Sequence, residues 1–389
     1  MTTVSPIPVA PAAPVPPIRP QTTQTRPPMG PLTDPAFLAR HGDVYAGALT
    51  FRNSDAGILR FPFPFAADSH RMYVNIEPHD RTGATGAFHA AFDIDEHYLA
   101  AVAERANTIA RDPTRSQALP HMMEAQWEAM EFVMENMALD FPQQFSFSRE
   151  GDRGLWINRP LGIERRFTFG DATTLPCDPL EYIARQMQGD IILLDQRGDT
   201  FFADAGVVTE ASGWSFDFIV GADWMSIHGP VPGKAENSVI DRARRMTLSL
   251  APGAPQRRVN WMLQMRPRMD VSMENRPVWM HDYDDRSAEH LPDTVVMRVE
   301  FQQLYRLPRS NAVVFVLRNY LATMRELCRV RKWAVRMHRV FRDFDPTLDR
   351  YATLPERPAL VEWLARFDDG RETSPGRGPD QSVLDAPAS

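Results

Sequence analysis

Apolar side chains at Met123, Trp127, Met130, Met134 and Met137 recur at intervals of four, three, four and three, the spacing that lines one face of a helix. That helix ends at Phe141-Pro142, because proline denies the next turn its donor. Upstream, Asp95 is placed to cap a second helix through Leu99, Val102, Ala103, Ala106 and Ile109, which Asp112-Pro113 stops. Beyond residue 142 the period shortens. Segments 144–147, 155–158, 165–169, 191–195, 201–208 and 214–220 read as short strands, interrupted by one helix over 178–188 with Asp178 as cap and Pro179 in its first turn. Strict alternation at Val259, Trp261, Leu263 and Met265, and again at Val295, Met297, Val299 and Phe301, predicts half-buried antiparallel strands. A helix near 237–250 divides the two strand groups, and helices are predicted over 319–341 and 355–367. The order is α+β: a mostly antiparallel sheet with flanking N- and C-terminal helices, without the strict alternation of a doubly wound sheet.

Proline changes the picture at the start of the chain. Residues 1–35 hold 11 of the 34 prolines and read as an extended, solvated tail, and the composition of 368–389 is similarly loop-like. Between the tails the reading is a helical region over 36–142, an α+β core over 143–318 and C-terminal helices over 319–367. With 43% apolar residues, eight Trp and 22 Phe, there is ample material for a core.

A net charge of −7 argues against a global attraction to nucleic acid or anionic lipid, and no apolar run is long enough to span a membrane. No signal-peptide pattern is present, and two cysteines, Cys177 and Cys328, make neither a disulfide framework nor a zinc or iron–sulfur site, so a cytoplasmic location is expected. A basic stretch, Arg325, Arg329, Arg331, Lys332, Arg336, Arg339 and Arg342, reads as a solvated face balanced by nearby carboxylates, with docking of an acidic electron-transfer partner as the alternative.

The motif search is mostly negative. Thr82-Gly-Ala-Thr-Gly86 has the wrong spacing for a dinucleotide fingerprint, and phosphate-loop, His-Glu-x-x-His and Gly-x-Ser-x-Gly patterns are missing. One histidine stands apart. His228 lies in Asp223-Trp-Met-Ser-Ile-His-Gly-Pro-Val-Pro-Gly233, where an apolar segment ends and a loop stiffened by Pro and Gly begins, a setting that suits a metal or cofactor ligand. On spacing alone, a lone histidine of this kind is more often a packed structural residue.

Residues 178–320 resemble the haem-dependent oxidative N-demethylase α-subunit family. The likeness runs through Asp178-Pro-Leu, Gln188-Gly-Asp-Ile-Ile-Leu-Leu194, Ala205-Gly206 with Trp214, and Ile227-His-Gly-Pro-Val-Pro-Gly233. It continues in Arg258-Val-Asn-Trp261, Arg298-Val-Glu-Phe-Gln-Gln-Leu-Tyr-Arg-Leu-Pro308 with Ser310, and Ala312-Val-Val-Phe with Tyr320. The resemblance implies a PAS-like core holding haem b, with dioxygen as co-substrate in the demethylation of a small methylated amine. It implies His228 as axial ligand of the iron, and Arg258, Asn260, Arg298 and Arg306 as residues that pair with haem propionates or else tie the sheet together. Glu300 would then orient Arg298. The sequence departs from the family pattern where Gln-Glu-Asp reads Gln188-Gly189-Asp190 and where Arg-Gln-Thr reads Phe301-Gln302-Gln303, so amine specificity transfers less well than fold and cofactor.

The rival readings are a haem-binding PAS-like sensor and a non-catalytic binding protein. Without a dinucleotide motif or cluster cysteines, an enzyme of this kind takes electrons from NADPH only through a partner reductase subunit. The purified chain alone is therefore expected not to oxidise NADPH, followed at the nicotinamide absorbance band, and steady consumption would contradict the partner requirement.

Overall fold

The structure, a computed structural model, describes residues 26–69, 75–228, 238–284, 286–287, 289–344 and 354–380. Most of the Pro-rich tail, the 229–233 loop and the last residues of the C-terminal tail lie outside the described residues. Among the described residues ten strands are formed: β1 (Glu77–Pro78), β2 (Ser116–Ala118), β3 (Phe145–Glu150), β4 (Arg153–Asn158), β5 (Ile163–Thr168), β6 (Asp190–Arg197), β7 (Thr200–Val207), β8 (Gln256–Met265), β9 (Val295–Arg306) and β10 (Val313–Thr323). Seven make one antiparallel sheet in the order β1-β8-β9-β10-β6-β7-β2, and β3-β4-β5 make a second, three-stranded sheet. This is the α+β, largely antiparallel arrangement with flanking helices that the pattern predicts.

Alternation assigns the two faces of the large sheet. Val259, Trp261 and Leu263 of β8, Met297, Val299 and Phe301 of β9, and Tyr320 and Ala322 of β10 pack behind the sheet against helices Arg331–Arg342 and Arg357–Leu364. Further along the same back face, Ile191, Leu193, Val314 and Val316 meet helices Tyr98–Arg111 and Met123–Asp140 and the small sheet. Met130, Met134 and Met137 are fully buried there, so the methionine stripe fills core space. In front, Ile192, Leu194, Leu304, Val313 and Leu317 are covered by the segment between β7 and β8, through Phe216, Trp224 and Leu250.

Two predicted elements differ. Residues 214–220 form a short helix, Phe216–Ile219, in place of a strand. The segment crosses the front face and does not pair at an edge; Phe216 fits against Gly206, where an added Cβ would meet its ring at 2.6 Å. The helix predicted from 319 is strand β10 as far as Thr323. That strand lies between β9 and β6 and is buried on both faces, so it carries no alternation to read. Thr323 and Glu326 then close a capping box, and helix follows at Met324–Leu327 and Arg331–Arg342. The 178–188 helix is real but shorter, Pro179–Ala184.

The basic stretch on the C-terminal helix is not a free patch. Lys332 and Arg336 are buried: Lys332 Nζ donates to the carbonyls of Pro375 and Gly378, and Arg336 to those of Phe65 and Gly376. Arg339 pairs with Asp68 and Asp368, Arg325 with Asp293, Arg331 with Asp369 and Arg342 with Asp343. The segment around 373–378 thus binds as a strap across the helix.

At Gly189 the backbone turns with φ +92°, and a Cβ would stand 2.7 Å from the Leu317 carbonyl oxygen and 2.9 Å from Arg318 Cα. Gly189→Ala is expected to lower the unfolding free energy by about 2 kcal/mol or more in urea denaturation; an unchanged midpoint would show that this backbone is not required. Buried His79 contacts Ala90 O at 3.1 Å and Gln303 Nε2 at 3.0 Å, and burial pushes its pKa down from 6.5 to about 4. The folded state keeps the ring neutral where the unfolded chain takes a proton, so this contribution is present above pH 6.5 and is lost as pH falls through 4. Between pH 7 and pH 4.5 the wild type is expected to lose roughly 2.5 kcal/mol more stability than His79→Gln, and equal losses would refute the assignment.

Candidate functional site

Asp223 starts the short helix Trp224–Ile227 by accepting the amide N–H groups of Met225 (2.8 Å) and Ser226 (3.0 Å). The helix is anchored by Trp224, which packs on Phe201 with ring centroids 6.0 Å apart. His228 follows directly, half-buried, its ring 4.5 Å from the Trp224 indole and its Nδ1 2.7 Å from the Trp224 carbonyl oxygen. A carbonyl only accepts, so Nδ1 carries the proton and donates, which leaves the lone pair on Nε2. Burial lowers the pKa of the ring; the hydrogen bond to Trp224 opposes this, and the charge of Arg258 adds to the lowering. A neutral imidazole with Nδ1–H tied to a backbone carbonyl is the state in which histidine ligates a metal.

Below it lies the front face of the sheet. Arg258, Asn260 and Met262 of β8 alternate with the core residues Val259, Trp261 and Leu263, and stand opposite Gln302, Glu300 and Arg298 of β9. Arg258, Asn260, Met262 and Gln302 are all half-buried. Asn260 Nδ2 donates to Glu300 at 3.2 Å, Gln302 Nε2 donates to the same carboxylate at 2.9 Å, and Arg298 Nε lies 3.9 Å from Glu300. On the same front face, half-buried Trp214, Met225, Ile227 and Phe315 pack against the apolar cluster of Ile192, Leu194, Leu304 and Trp224. A face carrying one cationic and several amide groups, together with apolar side chains, beneath a neutral imidazole, suits a flat apolar group with anionic substituents.

The structure therefore brings His228, Arg258 and Asn260 to one face. Arg298 and Arg306 belong to the same face, but their guanidinium groups are engaged in tying the chain. Fully buried Arg298 donates to the carbonyls of Met269 (3.0 Å) and Glu210. Arg306 donates to the carbonyls of Leu250 (3.1 Å), Thr247 (3.0 Å) and Asn311 (2.9 Å) and to Gln196 Oε1 (2.8 Å), closing the C-terminal end of helix Ser238–Leu248. These hydrogen bonds tie the chain together around the sheet, one of the two roles open to these arginines.

Neither cysteine competes with His228, since burial pushes both thiols well above their ordinary pKa and disfavours the thiolate a metal needs. A small cavity lies elsewhere, lined among others by Tyr45, Phe51, Asp95, His97 and Asn319. Its volume of about 20 Å³ is space for a water molecule, far short of a porphyrin.

The sequence pattern missed the residues that hold this face in position. Asp190 and Glu210 are buried acids joined to Arg105, and they anchor the point at which the chain leaves β7 to cross the front face. Nothing in the local pattern marks Glu210, because its partners come from helix Tyr98–Arg111 and from β10. The departure at Gly189 has a structural reason: its backbone conformation disfavours a side chain, the space a Cβ would need is taken by the backbone of Leu317 and Arg318, and Glu210 Oε1 lies 3.4 Å from the Gly189 amide. Phe301 is likewise packed in the back core, against Phe88 and His79.

The neutral Nε2 of His228, the strip beneath it and the protonated thiols all fit a haem whose iron takes a single imidazole. Residues 84–357, well over half the chain and including His228, Arg258, Asn260, Arg298 and Arg306, match the family described as haem-dependent oxidative N-demethylase, alpha subunit-like, and the chain belongs to that family.

Proposed function

We propose that this chain is the haem-carrying subunit of an oxygenase that removes a methyl group from a small methylated amine, and that its sheet is a PAS-like haem support. His228 is the proposed axial ligand, and the observation that carries this reading is its Nδ1–H hydrogen bond to the Trp224 carbonyl, which fixes the tautomer and aims Nε2. Bound there, haem b supplies the activation of dioxygen that oxidises a C–H bond beside the amine nitrogen, with formaldehyde and the shorter amine as products.

The chain's own residues do the rest. Arg258 offers its charge to a propionate and at the same time discourages protonation of His228. Asn260 and Gln302, both held by Glu300, are fixed amide groups for orienting what lies on the strip. Trp214, Met225, Ile227 and Phe315, packed on the apolar cluster of the same face, keep water from that part of it. Electrons come from NADPH through a partner reductase subunit, consistent with the α-subunit character of the family.

Absorption spectra test this reading. The wild type is expected to take up haemin with a shifted, saturating Soret band. His228→Ala is expected to lose that band and to regain it when imidazole is added, which separates a missing ligand from a misfolded protein. An unchanged spectrum in the variant would move the axial role away from His228. Formaldehyde released from a panel of methylamines, with added reductant, distinguishes a catalyst from a haem sensor.

A further inference from the structure

The β6–β7 hairpin carries a second group of ligand atoms, on the side of the sheet away from His228. Residues 191 and 193 face the back core while 192 and 194 face the front, so Asp195 lies on the back side. Across from it the β6–β7 register slips: Leu194 pairs with Ala203 and Leu193 with Ala205, so Asp204 is the extra, bulged residue. Bulges re-aim side chains. Asp204 is fully buried, and its carbonyl accepts the Leu119 N–H, which brings the turn Pro120–Met122 and its His121 alongside. His121 Nε2 lies 2.9 Å from Asp204 Oδ2 and 3.7 Å from Asp195 Oδ2, and the three donor atoms all fall within 4.8 Å of one another. With metal–ligand bonds of about 2.1 Å, two ligands of one ion stand roughly 3.0 to 4.2 Å apart, and the two His121 distances lie close to that range.

Two observations show that the group is not satisfied as an ordinary ion-pair cluster. Asp204 Oδ1 is buried and has no hydrogen-bond partner. The imidazole meets incompatible demands: Asp204 Oδ2 needs Nε2 to donate, whereas Arg197 Nη2, 3.1 Å from the same atom, needs it to accept. Arg197 also contacts Asp204 and donates from Nε to Asp195 at 2.9 Å, so its guanidinium fills the space on which the three lone pairs converge. Its Cζ stands 4.2 Å over the Phe202 ring while it makes these contacts, and its side chain is partly exposed, so displacement turns the guanidinium out into solvent.

We propose that His121, Asp195 and Asp204 form a binding site for a divalent first-row transition ion, with Arg197 as the cation that occupies the site when the ion is not bound. One imidazole and two carboxylates form a mixed nitrogen–oxygen set suited to ions such as Mn²⁺, Fe²⁺ or Zn²⁺. Solvent on the His121 side completes the coordination. The ion would pin the β6–β7 hairpin to the start of helix Met123–Asp140, independently of haem.

The test uses the full chain as purified, stripped of loosely held metal with a chelator that leaves haem in place. It is titrated with Zn²⁺ by calorimetry and with Mn²⁺ by electron paramagnetic resonance. One equivalent per chain is expected, weakened about tenfold or more in His121→Ala and in Asp204→Asn. His121 is half-exposed, so its variant is expected to fold. Arg197→Gln removes the competing cation and is expected to tighten binding about fivefold or more. Absence of saturable uptake, uptake unaffected by His121→Ala, or weaker binding in Arg197→Gln would each overturn the proposal.

Discussion

The front face depends on one buried ionic junction. Asp190, at the start of β6, accepts the amide N–H groups of Thr209 (2.8 Å) and Glu210 (3.0 Å), and so turns the chain as it leaves β7. Glu210 in turn receives Arg105 at 2.9 Å and Asn319 at 3.2 Å, while Arg298 and Asn319 donate to its backbone carbonyl. Burial and the neighbouring Glu210 carboxylate raise the pKa of Asp190, so the pair of acids persists only because Arg105 and the backbone amides compensate it. Removing one member would leave a buried charge unpaired, a cost of about 3–5 kcal/mol. Three strands and a helix therefore meet at the point where the covering segment departs.

That departure sets what the segment can present. From Glu210 the chain crosses the sheet, packs Phe216 against Gly206 and Trp224 against Phe201, and reaches His228 with its ring already oriented. The strip beneath is polar for a related reason. Arg298 and Arg306 hold loops and a helix end, and Arg258 is half-buried with its charge acting on the imidazole. Scaffold and site are divided along one stretch of a single strand pair: Val259, Trp261 and Leu263 of β8 with Met297, Val299 and Phe301 of β9 build the back core, and Arg258, Asn260 and Met262 with Arg298, Glu300 and Gln302 build either ties or the strip.

Much of the scaffold was legible because its elements are amphipathic. The methionine helix, the helix through Leu99 to Ile109, and β8 and β9 gather their large apolar residues on one face, and that leaves a period in the sequence even where, as in β9, the polar side is buried as well. Where apolar residues occupy both faces the period vanishes, as at Val313 to Leu317 of β10, and for that reason its end read as helix through Asn319 and Tyr320. The 214–220 segment failed for a different reason: its apolar residues answer to the shape of the sheet under it, at Gly206, and not to a partner strand. At the site, His228 was marked by a local signal, an apolar run ending in a Pro/Gly loop. Asp190 lay inside the quoted Gln188-Gly-Asp stretch without a role assigned to it, and Glu210 and the bulged Asp204 had no signal.

By itself the sequence determined composition-level and periodic properties: an acidic α+β chain, its helices and most of its strands, and membership of a family whose match spans His228, Arg258, Asn260, Arg298 and Arg306. Only the tertiary structure decided which of those arginines are committed to backbone carbonyls, which tautomer His228 carries, why position 189 has no side chain, and which distant acids share a junction. The physical reason is one of range. Helix and strand periods are written between residues a few positions apart, whereas the charge state and hydrogen-bond partners of a buried polar group depend on residues brought together from 20 to more than 100 positions away.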